Sequence, residues 1–245
     1  IEQELIGKTL YTQAGYYANW LGCVDLVYDT VDHSLIERKA RVMTVGDRYP
    51  RDPEMEKHLE GDLSRAEVYL HEKTGFTKDE FTAVQDRMGR CPTQMLLSRA
   101  IASAVDADIV LHGVLSDETL EPGDILMKDI WRIVPYENRV GVLLLTSSEI
   151  RELLLENHRN AKSVYYMGTY GLTYELAESN AAGERVVNIR LANGKPLHPK
   201  KRYRVAVNSY VLASGGLRFP SVRRLATIPE VRAEITKEDT RTMLL

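Results

Sequence analysis

The stretch GDILMKDIWRIVPYENRVGVLLLTSSEIRELLLE, Gly123 to Glu156, holds the best-specified local structure in the chain. From Leu126 to Val134 the apolar residues Met127, Ile130, Trp131 and Val134 recur at helical spacing. Pro135 ends that helix, because the residue before a proline is pushed out of the α region. Pro135-Tyr-Glu-Asn138 makes a corner, and Arg139 to Leu145 is a nearly continuous apolar run, as in a buried strand. Thr146-Ser-Ser-Glu149 is a capping box, in which the threonine hydroxyl accepts the Glu149 amide and the glutamate reaches back. The helix it opens carries Ile150, Leu153 and Leu154 on one face. A polar and aromatic corner is thus held between two firm elements, where binding residues tend to sit.

Outward from this stretch, Pro92 to Val105 reads as a helix, Asp108 to His112 as a short buried strand and Leu115 to Asp124 as an acidic loop. Beyond it, Val164 to Met167 and Leu172 to Leu176 read as strands rich in Tyr and Thr. Arg185 to Leu191 and Tyr203 to Asn208 are joined through Asn193-Gly194, the strongest short hairpin signal, and a basic loop. Ser214-Gly-Gly216 then breaks the pattern at a strand end. Near the N-terminus, Thr9 to Ala14, Leu21 to Asp29 and Ile36 to Val45 are strand-like runs with no helix between them, too few to bury both faces alone. Asp52-Pro53 starts a helix with Asp as N-cap, and Met55, Leu59 and Leu63 carry its stripe to about Ser64. Ala66 to Glu72 reads equally as more helix or as a strand. The pattern predicts an α+β fold: a mixed β-sheet with packed helices, preceded by a β-rich segment and a linker helix.

Composition narrows the function classes. The 245 residues are 44% apolar and 27% charged, with a net charge of −3. That balance offers no basic footprint for a nucleic acid duplex and no polybasic membrane anchor. No apolar run approaches a membrane span. The two cysteines, Cys23 and Cys91, lie far apart and say little of the compartment. Tyrosine is abundant, 13 against 3 Phe, so several tyrosines serve as core aromatics. Ile1 in place of Met, an uncapped start and an apolar final Thr-Met-Leu-Leu make the chain read as a piece of a longer protein.

Several segments, in order, resemble the C-terminal half of the 5′-nucleotidase family of metallophosphohydrolases, which also holds 2′,3′-cyclic nucleotide phosphodiesterases and UDP-sugar hydrolases. They are Thr12-Gln-Ala-Gly-Tyr-Tyr-Ala-Asn-Trp-Leu-Gly-Cys-Val-Asp-Leu26, the central GDI…PYENRV…LTSSEIRELL, Tyr170-Gly-Leu-Thr-Tyr174, the Asn193-Gly-Lys-Pro-Leu197 turn, and Tyr203-Arg-Val-Ala-Val-Asn-Ser-Tyr210 with Ser214-Gly-Gly216. The resemblance implies residues 1–46 as the last strands of a two-metal domain and 47–82 as a linker helix and connection. It further implies 83–228 as the substrate-binding domain and 229–245 as a tail. Two divalent metal ions are implied in that metal domain, upstream of Ile1. The six histidines here show no ligand spacing of their own. Asn157-His158 is similar to the family's catalytic Asn-His, but it ends a helix and lacks the flanking Gly and acid; a histidine favoured by the helix dipole is the other reading. Nucleotide or a related phosphoester, and the chain's own metal domain, are the implied partners. A periplasmic or secreted location is likewise implied.

In that family two aromatic rings sandwich the base, and the matching positions are Tyr136 in the corner and Tyr210 on the strand before Gly215-Gly216. Stacking suits any base and contributes roughly 1–3 kcal/mol; a core aromatic is the alternative for both. Asn138 matches the base-contacting Asn of the corner, with an Asn turn as its alternative. Gly171 matches a glycine that admits the ligand, or marks a bulge. Arg87 and Arg90 fall near the family's phosphate arginines, whose forked guanidinium suits phosphate, or form a solvated pair. A third arginine is replaced by Asp117, and a ribose carboxylate by Leu217. Near phosphate, Asp117 turns attraction into repulsion, so a less anionic ligand, or a site that no longer binds nucleotide, is the competing expectation.

Overall fold

The computed structural model describes residues 1–16, 18–177 and 186–245; Tyr17 of the N-terminal loop and Arg185, the expected start of a strand, lie outside the described residues. The chain divides into two compact units, Ile1–Arg65 and Ala66–Leu245.

In the smaller unit β1 (Glu4–Ile6) pairs with β2 (Thr9–Tyr11), and β3 (Trp20–Asp29) with β4 (Ser34–Thr44), both antiparallel. The strand-like runs at Leu21–Asp29 and Ile36–Val45 thus pair as a hairpin, whereas β2 stops at Tyr11, short of Ala14. Among the described residues of this unit only Ala40 is buried. Leu26, Val27 and Ile36 are exposed. Helix α1 (Pro53–Leu70) starts at the Asp52 cap, whose Oδ1 accepts the Glu54 and Met55 amides at 2.9 and 3.2 Å. It continues through Ala66–Leu70, so the ambiguous stretch is helical at its start.

The larger unit follows with β5 (Lys73–Thr77), α2 (Pro92–Val105), β6 (Ile109–His112), β7 (Gly123–Leu126), α3 (Met127–Ile133), β8 (Arg139–Leu145) and α4 (Ser147–Arg159). Then come β9 (Gly168–Tyr170), β10 (Leu172–Leu176), β11 (Val186–Leu191), β12 (Tyr203–Asn208), α5 (Ser209–Leu212), α6 (Pro220–Ala226), a 3-10 turn at Pro229–Val231, β13 (Glu234–Asp239) and α7 (Thr240–Leu244). Five strands make a mixed sheet in the order β13-β8-β12-β6-β9; β12 runs parallel to β6 and every other pairing is antiparallel. Two-residue alternation splits the core between its faces. Ile109, Leu111, Leu143, Leu145, Val205 and Val207 pack toward α4, α5 and α6. Val110, Val140, Val142 and Ala206 pack toward Ile101 of α2 and Met243 of α7. The architecture is α+β with a mixed sheet between two helical layers, as the sequence predicts.

The capping box forms as read: the Glu149 amide reaches the Thr146 hydroxyl at 3.4 Å, and the Glu149 carboxylate accepts the Thr146 amide at 2.7 Å. Three local expectations are corrected. Val164–Met167 is not a strand. The Asn157 side-chain amide takes both backbone groups of Met167, at 3.0 and 2.8 Å, so pairing starts one residue later at Gly168. Asn193-Gly194 turns tightly but does not pair β11 with β12. It folds the chain back onto Arg190 through a bridge to Pro196, while β11 pairs with β10 and β12 enters the main sheet. Tyr210 lies on α5 rather than on a strand, because the Asn208 side chain accepts the Val211 amide at 2.8 Å and starts a helical turn. Residues 229–245 contribute β13, an edge strand of the sheet, and α7, which packs on α2 and α3.

Candidate functional site

The corner Pro135–Asn138 enters β8, and the register sets what lies beside it. Val140 at the start of β8 faces Asn208 at the end of β12, immediately before the turn of α5 that carries Tyr210. Gly141 makes that turn possible: a Cβ there would lie 2.7 Å from Leu212, so the missing side chain lets α5 settle on β8. β6 runs parallel to β12, so the acidic loop carrying Asp117 leaves the sheet at this same end. Tyr136, Asn138 and Tyr210 are therefore gathered at one end of the sheet, with Tyr136 half exposed.

The corner is held from the C-terminus. The Asn138 carbonyl accepts the Thr240 amide at 2.9 Å and the Thr240 hydroxyl at 3.0 Å. The Val134 carbonyl accepts Nε of Arg241 at 3.0 Å, and the Arg241 guanidinium lies 3.4 Å over the Trp131 ring. Consecutive residues of α7 thus bracket both ends of the corner. Arg241 is 7% exposed, and its Nη2 has no hydrogen-bond partner among the described residues. Nothing in the local sequence pattern of residues 229–245 signals this role, since the contact spans about a hundred residues and rests on β13 pairing with β8.

Beyond Tyr210, the backbone at Gly215 and Gly216 has φ of 52° and 66°, the left-handed region that glycine adopts without strain. Leu217, also at positive φ, is 79% exposed. The Tyr210 ring stacks on Tyr165, centroids 6.3 Å apart at 23°. Tyr165 lies on the turn after α4, inside the segment whose sequence suggested a strand.

The other sequence candidates sit elsewhere. Gly171, between β9 and β10, has φ of 81°, and a Cβ there would lie 2.0 Å from the Asp108 carbonyl oxygen at the opposite end of β6. What approaches Gly171 is the chain's own backbone. Arg90 is held by Asp86 through Nε and Nη2 at 3.2 and 3.1 Å. Both residues line a cleft of about 870 Å³ with Gly171, Asp108 and Asn193. Arg87 is exposed, and its carbonyl accepts the Tyr166 hydroxyl at 3.4 Å. Arg90 and Gly171 thus share one cleft, apart from the sheet end that gathers Tyr136, Asn138 and Tyr210.

His112, at the end of β6, is fully buried, with Nδ1 2.6 Å from the Gly113 carbonyl and Nε2 unpartnered. Burial pushes its imidazole down to about 4, against a smaller upward pull from the Gly113 carbonyl. It is neutral at pH 7. Among the described residues no three His, Cys, Asp or Glu side chains converge on a point that would hold a metal ion, so the residues present do not fit a two-metal centre.

Residues 73–224 match the model of the 5′-nucleotidase C-terminal domain. The chain is 24% identical over 222 residues to the trifunctional nucleotide phosphoesterase protein YfkN of Bacillus subtilis, covering 84% of this chain and 15% of that protein. It is 23% identical over 240 residues to the uncharacterized metallophosphoesterase YunD of the same organism, covering 91% of this chain and 50% of the relative. A putative 5′-nucleotidase from Staphylococcus aureus, solved in complex with alpha-ketoglutarate, superposes with a TM-score of 0.71 at 18% identity, over 99% of this chain and 50% of that one. The chain therefore spans half or less of the length of these relatives. With most of its larger unit matched, the chain belongs to the 5′-nucleotidase C-terminal domain family.

Proposed function

We propose that this chain is the nucleotide-binding part of a metal-dependent phosphoester hydrolase, of 5′-nucleotidase or cyclic-nucleotide phosphodiesterase type, whose metal centre lies upstream of residue 1. The observation that carries the reading is the register of β8 on β12, which gathers the corner of Tyr136 and Asn138 and the turn of Tyr210 at one sheet end. Tyr136 and Tyr210 stack on the base and Asn138 hydrogen-bonds its edge, with stacking supplying about 1–3 kcal/mol per base. The chain alone has no hydrolytic activity. In the intact protein two divalent metals, held by residues of the upstream domain, would supply an activated water and offset charge on the phosphoryl group. Relatives that include a metallophosphoesterase, each much longer than the matched segment, support that arrangement. The intact protein is exported, which fractionation of cells making it would test. Among the described residues no helix is long and apolar enough to cross a membrane.

A second reading has an observation of its own. Tyr210 already stacks on Tyr165, and Arg90 is already paired with Asp86, as in a lid or interaction domain that no longer takes nucleotide. Titrating the chain with adenosine and with AMP separates the two. Chemical shifts that move at Tyr136 and Asn138 support the base site; none moving at millimolar ligand supports the second reading.

A further inference from the structure

Arg90, Arg132, Arg202, Arg204, Arg224 and Arg241 each pair with a carboxylate, whereas Arg218 pairs with none among the described residues. It is nonetheless held in place. Its guanidinium carbon lies 3.9 Å over the Tyr165 ring, and Nη1 donates to the Tyr210 hydroxyl at 3.2 Å and to the Gly215 carbonyl at 2.8 Å. Gly216 is part of the seat, because a Cβ there would lie 2.6 Å from Nη1 of Arg218 and 3.4 Å from the Tyr210 hydroxyl. Nη1 spends both its hydrogens on these two contacts. A guanidinium has five N–H donors, so the three on Nε and Nη2 are uncommitted. The side chain is exposed, so those donors are open to a ligand.

We infer that Tyr165, Tyr210 and Arg218 form an anion-reading subsite, and that the ligand class is an aromatic ring carrying phosphate. This rests on the nucleotide reading above and deepens it. A fixed cation without a counter-ion gains more from an incoming phosphate than one already bound to a carboxylate, because no existing pair must break. The planar fork of arginine matches two phosphate oxygens at once. Arg218 therefore supplies, at the Tyr210 turn, a charge that Arg90, paired with Asp86 in a separate cleft, does not. The chain prefers nucleotide to nucleoside.

The test is titration of the chain with adenosine, AMP and inorganic pyrophosphate, following the Arg218 Nε–H resonance in the parent and backbone amide shifts in both the parent and Arg218→Gln. The parent binds AMP about tenfold more tightly than adenosine, a difference of about 1.4 kcal/mol, and the variant binds the two equally. Arg218→Lys restores only part of the preference, since an ammonium makes no bidentate contact. An AMP preference that survives Arg218→Gln overturns the inference. Pyrophosphate separates this failure from failure of the base reading. If adenosine does not bind but pyrophosphate shifts the Arg218 resonance, the base site fails and the anion subsite stands. If neither AMP nor pyrophosphate moves that resonance, the subsite is refuted.

Discussion

Replacing Arg241 with alanine tests whether the corner is held from the C-terminus. The substitution removes a charge-assisted hydrogen bond to the carbonyl of Val134, a residue with 0% exposure, and leaves that acceptor without a protein donor. A hydrogen bond to a charged group contributes about 1.5–3 kcal/mol, and a buried carbonyl left unsatisfied costs about 1–3 kcal/mol within the same measured loss. The guanidinium over Trp131 is buried, so its cation–π contact adds about 1–2 kcal/mol. Against these, Nη2 is itself buried without a partner, a cost of about 1–3 kcal/mol that the alanine relieves. The Glu137 contact is 3.8 Å long with Glu137 73% exposed, so it contributes nothing measurable.

The terms net to a loss of about 2 kcal/mol. For a unit of this size each kcal/mol lowers Tm by about 2–4 °C, so Arg241→Ala lowers it by roughly 4–8 °C. Arg241→Lys does nearly as badly, because an ammonium neither lies flat on Trp131 nor offers an Nε–H at that position. Calorimetry of the chain checks both. A Tm within about 2 °C of the parent for Arg241→Ala would refute the clamp.

Three further outcomes follow from single positions. Gly171→Ala puts a Cβ 2.0 Å from the Asp108 carbonyl oxygen at φ of 81°, and should cost about 2–4 kcal/mol in urea unfolding; a change below 1 kcal/mol would mean the backbones are not in contact. His112 titrates near 4 folded and near 6.5 unfolded, so its neutral form stabilises fully above about pH 6.5, and that contribution falls as pH drops toward 4. The loss is about 3 kcal/mol between pH 7 and 4, and in His112→Leu the slope of stability against pH over that window becomes shallower. In the intact protein Tyr136→Ala raises KM for nucleotide about tenfold with unfolding unchanged, and an unaltered KM would remove Tyr136 from the site.

Much of the fold is legible because its cues are local. Pro135, the Thr146–Glu149 box and the Asp52 cap each fix an element from within a few residues, and the apolar run of β8 is long enough to have one interpretation. What is not legible depends on partners distant in sequence. Asn193-Gly194 encodes a turn but not the identity of the strand on the other side, and β12 finds its partners in β6 and β8. Met167 carries strand-like neighbours, yet its backbone groups are taken by a side chain ten residues earlier. The site divides the same way. The corner can be read from Pro135 to Asn138, but Tyr165 and Arg218 become neighbours of Tyr210 only after α4 and α6 pack against each other. An exposed arginine beside Leu217 has no signature until its surroundings lack a carboxylate.

Residues 229–245 bear on where the folding unit ends, because the family match stops at residue 224. β13 pairs with β8 through Glu234 and Ile235, and the Thr236 hydroxyl accepts the Val140 amide at 3.1 Å. Without them β8 becomes an edge strand with its N–H and C=O groups unpaired, a template for association with other chains. α7 covers the face holding Ile101, Val140 and Val142, and removing it bares that apolar surface while freeing both ends of the corner. Each loss falls on the sheet end that carries Tyr136. A chain cut after Ile228 should therefore associate in solution and lose its cooperative thermal transition, not merely weaken its ligand affinity. Light scattering and calorimetry on the shortened chain decide it: a monomer unfolding cooperatively within a few degrees of the parent would show that the chain folds without β13 and α7.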